Sequence, residues 1–179
     1  NAKLSYYNGY FTWAQKQFDI LKSATSRYIS NDAIDLSVFI IDNMKGDTVA
    51  EALEYFAAAE LLNFQNKHDD ALEKLDSILF IFPNHDITDD VLYQKAHIYG
   101  QLKKWSDAIP LYETLIEKHK EGIRCDNALF ELAEIYDHKL NQKDKAKELY
   151  EKLFLDFSNS TFAVDARKRF RVLRGDKIQ

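Results

Sequence analysis

Apolar positions recur at helical spacing along most of the chain and are separated by short polar segments. Between residues 10 and 25, for example, Ala14, Phe18 and Leu21 follow one another at intervals of four and three residues, which is the spacing of one helix face. The preceding segment, Asn8-Gly9, is a typical turn dipeptide. Such alternation predicts consecutive antiparallel helices joined by short turns.

The same pattern predicts ten helices. Their approximate ranges are 1–8, 10–25, 31–44, 49–64, 70–82, 89–102, 105–119, 126–140, 144–157 and 161–173. The 179 residues include only 5 glycines and 2 prolines, so the strongest helix breakers are scarce. We therefore predict an all-α fold.

One sequence register repeats every 37 residues. Aromatic, alanine and polar positions all follow it, in the series Phe56/Tyr93/Phe130, Ala59/Ala96/Ala133 and Glu60/His97/Glu134. A second alanine series, Ala71/Ala108/Ala146, has spacings of 37 and then 38 residues. Self-similarity at such a period indicates stacked helical repeats, which typically present long binding surfaces.

The register divides the chain into four helical hairpins within a single array that covers residues 1–179. The second-helix alanines Ala14 and Ala71 are 57 residues apart, about 20 more than one period, so we expect an inserted helix between the first two hairpins. The predicted repeats cover approximately 1–30, 49–84, 88–122 and 125–159, with the inserted helix at 31–44 and a C-terminal capping helix at 161–174.

These residues resemble the tetratricopeptide repeat, a helical hairpin of about 34 residues. The family pattern has a small residue in the first helix, an aromatic residue three positions later and an alanine early in the second helix. Three segments match it: Ala96-Tyr99-Ala108, Ala133-Tyr136-Ala146 and, more loosely, Ala59-Leu62-Ala71. The resemblance implies an α-solenoid, a right-handed superhelix of antiparallel hairpins, that scaffolds protein assemblies. The longer unit and a missing glycine resemble the divergent repeats of large bacterial proteins, and this chain resembles the C-terminal part of one.

In the tetratricopeptide family the first helix of each hairpin lines a concave groove. The resemblance therefore places an aromatic series and a polar series in that groove, where a peptide or protein segment would bind. A regular aromatic stripe is also typical of packing between repeats, so both roles remain open. The candidate residues are Phe56, Glu60, Asp90, Tyr93, His97, Asn127, Phe130 and Glu134.

The distribution of charge argues against a nucleic-acid partner. The net charge is −5, and residues 163–179 carry six basic and two acidic side chains. The rest of the chain is therefore strongly acidic, whereas nonspecific nucleic-acid binding needs a basic contact face. No stretch approaches the roughly 20 uninterrupted apolar residues of a membrane span.

The candidate chemistry is sparse. His85-Asp86 and Asp89-Asp90 form the densest acidic cluster, which we interpret as the capping of a helix start. The remaining histidines, among them His138, lack metal-ligand spacing. Cys125 is the only cysteine and reads as a small apolar residue. We therefore expect no catalytic residue, metal or cofactor, and predict a protein that is not an enzyme.

Two alternatives remain open. In the first, the chain is the peptide- or glycan-binding arm of a cell-envelope enzyme complex. Residues one repeat apart should stand about 10 Å apart, at or beyond the upper end for paired glycosidic carboxylates. In the second, the chain self-associates through an exposed apolar end near Tyr6, Tyr7 and Phe11. The compartment is undetermined, with the cell envelope or periplasm slightly favoured by the family resemblance.

Overall fold

The structure, a computed structural model, describes residues 1–23, 27–44 and 50–176, with no account of the side chains of residues 27–32. Within these ranges it contains α-helices and no β-strand, so the predicted all-α fold is confirmed. The helices are α1 Ala2–Tyr7, α2 Phe11–Leu21, α3 Arg27–Asn43, α4 Glu51–Phe64, α5 His68–Ile81, α6 Thr88–Gln101, α7 Trp105–Lys118, α8 Cys125–Glu134, α9 Lys143–Asp156 and α10 Ala163–Arg174.

The chain divides into two compact units, Asn1–Val91 and Leu92–Gln179. The division falls within α6. The junctions predicted on either side of the inserted helix lie partly at residues 24–26 and 45–49, outside the described part of the chain.

In unit 1 helix α3, which covers most of the predicted inserted helix, contributes to the hydrophobic core. The ring of Phe39 in α3 lies 5.0 Å from the ring of Phe56 in α4 and 6.3 Å from that of Tyr6 in α1. Tyr6 also contacts Phe11 of α2, at 5.7 Å between ring centroids. Because Tyr6 and Phe11 are buried, the expectation of an exposed apolar end at these two residues is wrong.

In unit 2 helices α6 to α10 enclose a second core. Large side chains from α7, α8 and α9 fill it, including Tyr112, Leu129 and Tyr150. The register alanines of both units have no exposed surface: Ala59, Ala71, Ala96, Ala108, Ala133 and Ala146. Small buried residues allow paired helices to approach closely, which is the reason that alanine recurs at these positions.

The three complete hairpins share one turn geometry. The second residue after the first helix has a positive φ in each: 61° at Asn66, 59° at Lys103 and 53° at Asn141. The next backbone N–H then closes the turn, as Lys104 does to the carbonyl oxygen of Tyr99 at 2.9 Å. A residue in the left-handed conformation commonly ends a helix. Its recurrence shows that the three hairpins share a backbone conformation as well as a sequence pattern.

The third of these hairpins contains one extra residue. The spacing from the first-helix alanine to the turn is seven residues for Ala96 and Lys103, but eight for Ala133 and Asn141. The end of that helix forms a π-helical turn, Ile135–Lys139. A π turn absorbs a single inserted residue within a helix, which explains the change in period from 37 to 38.

Candidate functional site

The predicted site residues in unit 1 take part in internal packing. Phe56 is 2% exposed and Asp90 is also 2% exposed. Asp90 accepts a hydrogen bond of 3.0 Å from the side-chain amide of Asn43 in α3. Glu60 is half-buried and accepts a hydrogen bond of 2.6 Å from the hydroxyl of Tyr6 in α1. Phe56 and Glu60 therefore join α3 and α1 to α4, and Asp90 joins α3 to the start of α6.

The predicted residues of unit 2 lie around a carboxylate that sequence analysis did not select, Glu131 of α8. Glu131 accepts hydrogen bonds from the hydroxyls of Tyr93, at 2.6 Å, and Tyr112. A ring nitrogen of His97 lies 3.2 Å from the same carboxylate. Three side chains from α6 and α7 therefore converge on one residue of α8.

The charge state of this cluster follows from its contacts. Burial acts to raise the pKa of Glu131, but the hydrogen bond and charge of His97, with the hydroxyls of Tyr112 and Tyr93, outweigh burial and lower it. The same hydrogen bond raises the pKa of His97 against the effect of burial. Burial, followed by the charge of Glu131, raises the pKa of both tyrosines, so they remain hydrogen-bond donors.

The polar residues His97 and Glu134, one repeat period apart, line the same open pocket in unit 2. This pocket, which we call the His97–Glu134 pocket, has a volume of about 300 Å³. Its apolar wall includes Trp105 and Ile135, and Gly100 opens it on the side of α6. The pocket thus combines an apolar surface with two carboxylates, those of Glu131 and Glu134.

Glu134 is held in place by the second helix of its own hairpin. The hydroxyl of Tyr150 in α9 donates to Oε1 of Glu134 at 2.5 Å. His138 lies on the other side, with Nε2 3.4 Å from Oε2. Arg169 of α10 is more distant, at 3.9 Å from Oε1. The carboxylate therefore enters the pocket in a fixed orientation.

The remaining predicted residues of unit 2 mainly serve packing. Phe130 stacks on Phe162, with ring centroids 4.8 Å apart and planes 22° apart. Asn127 hydrogen-bonds through its side chain to Tyr93. Tyr93 in turn stacks on His97, at 6.1 Å between ring centroids. In unit 2, therefore, Tyr93 and Phe130 of the aromatic series pack internally, whereas His97 and Glu134 of the polar series line the pocket.

Sequence analysis did not select Glu131 because it searched for positions that recur in every repeat. One and two periods earlier the register holds Gln94 and Ala57, so the carboxylate is not a repeated feature. A search for positions shared by all repeats cannot find it. The neighbouring Phe130 gives no signal for it either, because Phe130 contacts Tyr150 of α9 and Phe162, whereas Glu131 contacts α6 and α7.

A second pocket of about 400 Å³ lies between α7, α8 and α9. Its polar residues are paired within the wall: Tyr136 donates to Glu113 at 3.2 Å, and the Lys145 ammonium lies 4.8 Å from the Tyr136 ring. None of the eight predicted residues lines it.

Cys125 behaves as a core residue. Its thiol is buried at the start of α8, and burial raises its pKa to about 11. A thiol in this state is a poor nucleophile at neutral pH.

Among the described helices, none has the length and apolar character to cross a bilayer.

The geometry above defines a helical-repeat protein, and a comparison with protein families identifies the repeat. The tetratricopeptide repeat model matches residues 90–121 and 127–160. These two segments are therefore similar to tetratricopeptide repeats, in agreement with the resemblance seen in the sequence. Repeats of this family generally mediate protein–protein interaction and are typically non-catalytic scaffolds. A comparison with curated proteins gave no match.

Proposed function

We propose that the chain binds a segment of a partner protein in the His97–Glu134 pocket. The observation that carries the proposal is the register: residues at the same position of two consecutive repeats, His97 and Glu134, line one pocket. Both lie on the first helix of their hairpins, which is the helix that lines the groove in this family. The two family matches cover the same two hairpins.

The chemistry of the pocket favours a particular kind of segment. Trp105 and Ile135 offer an apolar surface that would take an aliphatic or aromatic side chain. Glu134, which contributes a charged carboxylate to the wall, would attract a lysine, arginine or amide group beside that anchor. A short apolar segment with a neighbouring basic residue is therefore the occupant that we expect.

The contacts of Glu131 assign it a supporting part. Its carboxylate oxygens already accept hydrogen bonds from Tyr93, Tyr112 and His97. These donors occupy most of the acceptor positions of the carboxylate, so a ligand would gain little by binding it directly. Glu131 instead fixes the walls of the pocket in advance, and such preorganisation lowers the entropic cost of binding.

A peptide-display selection against the chain tests the proposal. We expect selected peptides to contain an apolar residue next to a basic one, and Glu134→Gln to weaken their binding by about tenfold. Glu148→Gln, which removes an exposed carboxylate of α9 that lines the other pocket, is the matched control and should bind normally. Selected peptides that bind Glu134→Gln as tightly as the unchanged protein would contradict the proposed site.

A further inference from the structure

The π turn at the end of α8 brings together three potential metal ligands, Glu134, Asp137 and His138. One ligand atom from each lies within 4.8 Å of the others. Asp137 is 3% exposed, and the side chain of His138 is one-third exposed. The group is thus anchored on a buried carboxylate and open to solvent at its histidine.

The two distances from His138 to the carboxylates match the edges of a metal coordination sphere. Nε2 of His138 lies 3.4 Å from Oε2 of Glu134 and 3.5 Å from Oδ2 of Asp137. Two ligands that each bind an ion at about 2.1 Å are separated by roughly 3.0–3.5 Å at tetrahedral or octahedral angles. An ion could therefore bind between these atoms after only small side-chain movements.

Each carboxylate uses one oxygen for a neighbouring side chain and turns the other toward His138. Oε1 of Glu134 accepts from the Tyr150 hydroxyl at 2.5 Å, and Oδ1 of Asp137 lies 2.5 Å from the Lys143 ammonium. In metal sites such outer partners orient the ligands and are part of the site. Tyr150 and Lys143 stand in this position relative to Glu134 and Asp137.

We propose that Glu134, Asp137 and His138 bind a divalent transition-metal ion of the Zn²⁺ class, with water completing its coordination. Imidazole favours Zn²⁺ and its first-row neighbours over Mg²⁺ or Ca²⁺, which require more oxygen ligands. Lys143, and Arg169 at 3.9 Å from Glu134, oppose a cation, so we expect weaker binding than at a site with no basic side chains beside it.

Sequence analysis does not predict this site, because the histidines are dispersed along the chain and lack a known metal-ligand spacing. The three residues form an E-x-x-D-H segment, whose spacing places side chains on one helix face. Two of them lie in the π turn, Ile135–Lys139, and π turns occur frequently at functional sites. The site does not depend on the proposed binding of a protein segment.

Calorimetric titration of the whole chain with ZnCl₂ alone tests the proposal. We expect saturable binding of one equivalent, weakened by about tenfold or more in His138→Gln. His119→Gln removes a histidine at the end of α7, away from the cluster, and should leave the affinity unchanged. Circular dichroism establishes that both variants remain helical.

Two results of the Zn²⁺ titration would overturn the proposal. Absence of saturable binding, or equal affinity in His138→Gln and the unchanged protein, would show that the three side chains form only an ion-pair cluster. A Co²⁺ titration gives a second readout, since bound Co²⁺ should show d–d absorption that His138→Gln loses and His119→Gln retains.

Discussion

Tyr93 donates a hydrogen bond of 2.6 Å to Glu131, which lies 38 residues later on the first helix of the next repeat. Tyr112 donates to the other oxygen of the same carboxylate. A single side chain of α8 thus joins both helices of the preceding hairpin. The contact between these two repeats is therefore polar at its centre and depends on a residue outside the repeat pattern.

Replacement of Glu131 by Gln should destabilise the protein. Glutamine keeps the shape of the side chain but loses the charge that strengthens its hydrogen bonds, and one of its two polar groups cannot accept from a hydroxyl. We expect a loss of about 1–3 kcal/mol in the free energy of unfolding, measured with urea. Glu148→Gln, on the exposed surface of α9, should change it by no more than about 0.5 kcal/mol.

The pairing of His97 with Glu131 should make stability depend on pH. The folded pKa of His97 is raised, so its contribution is fully present below the unfolded pKa of about 6.5 and is lost as pH rises through the folded value. The folded pKa of Glu131 is lowered, so its contribution is lost only as pH falls through that lower value.

An NMR titration of the His97 ring measures the first of these shifts directly. The pKa of His97 should lie above the ordinary histidine value and should fall in Glu131→Gln. In Glu148→Gln it should remain as in the unchanged protein. A His97 pKa that is the same in all three proteins would show that Glu131 does not act on this ring.

Phe56 should be a stability residue and not a binding residue. It is 2% exposed and contacts Phe39 of the inserted helix. Phe56→Ala should therefore cost about 3–5 kcal/mol of unfolding free energy through the cavity it leaves. Phe80, 87% exposed on α5, is the matched control, and Phe80→Ala should cost less than about 0.5 kcal/mol. Equal costs for the two variants would contradict the packing described for α3.

The turn after α6 offers a stabilising substitution. Lys103 has a φ of 59°, a left-handed conformation that strains every residue except glycine. Lys103→Gly should raise the free energy of unfolding by about 0.5–1 kcal/mol. Lys118→Gly, in the last turn of α7, should lower it by about 1 kcal/mol, because glycine is unfavourable within a helix. Thermal unfolding shows whether each substitution raises or lowers the stability of the protein.

Sequence periodicity predicts the fold well because the repeat is built from local rules. The buried alanines recur at fixed spacing, and Gly175 ends α10 with a φ of 90°, as its position after the last helix suggests. The 38-residue spacing between Ala108 and Ala146 is also visible in the sequence. Its physical cause, the π turn, is not, because one extra residue can be absorbed by a helix or by a loop.

The site was less predictable because it depends on contacts between repeats. The register places His97 and Glu134 on equivalent positions, but it assigns the same role to Phe56, which α3 covers. It also omits Glu131, since no other repeat has a carboxylate there. Contacts with residues outside the register, such as Phe39 of α3 and Glu131 of α8, therefore cannot be predicted from the repeat alone.

The most direct test of the central claim fills the pocket from its open side. A Cβ atom added at Gly100 would meet the ring of Trp105 at 3.8 Å, an ordinary van der Waals distance. Alanine therefore fits at this position, and the longer side chain of leucine would extend into the pocket. Neither substitution removes a hydrogen bond of the Glu131 cluster.

The measurement is the affinity of a selected peptide for Gly100→Leu, Gly100→Ala and the unchanged protein, by fluorescence polarisation. We predict that Gly100→Leu loses affinity by about tenfold or more, equivalent to about 1.4 kcal/mol, while Gly100→Ala binds as the unchanged protein does. If Gly100→Leu remains folded and binds the peptide as tightly as the unchanged protein, the His97–Glu134 pocket is not the binding site.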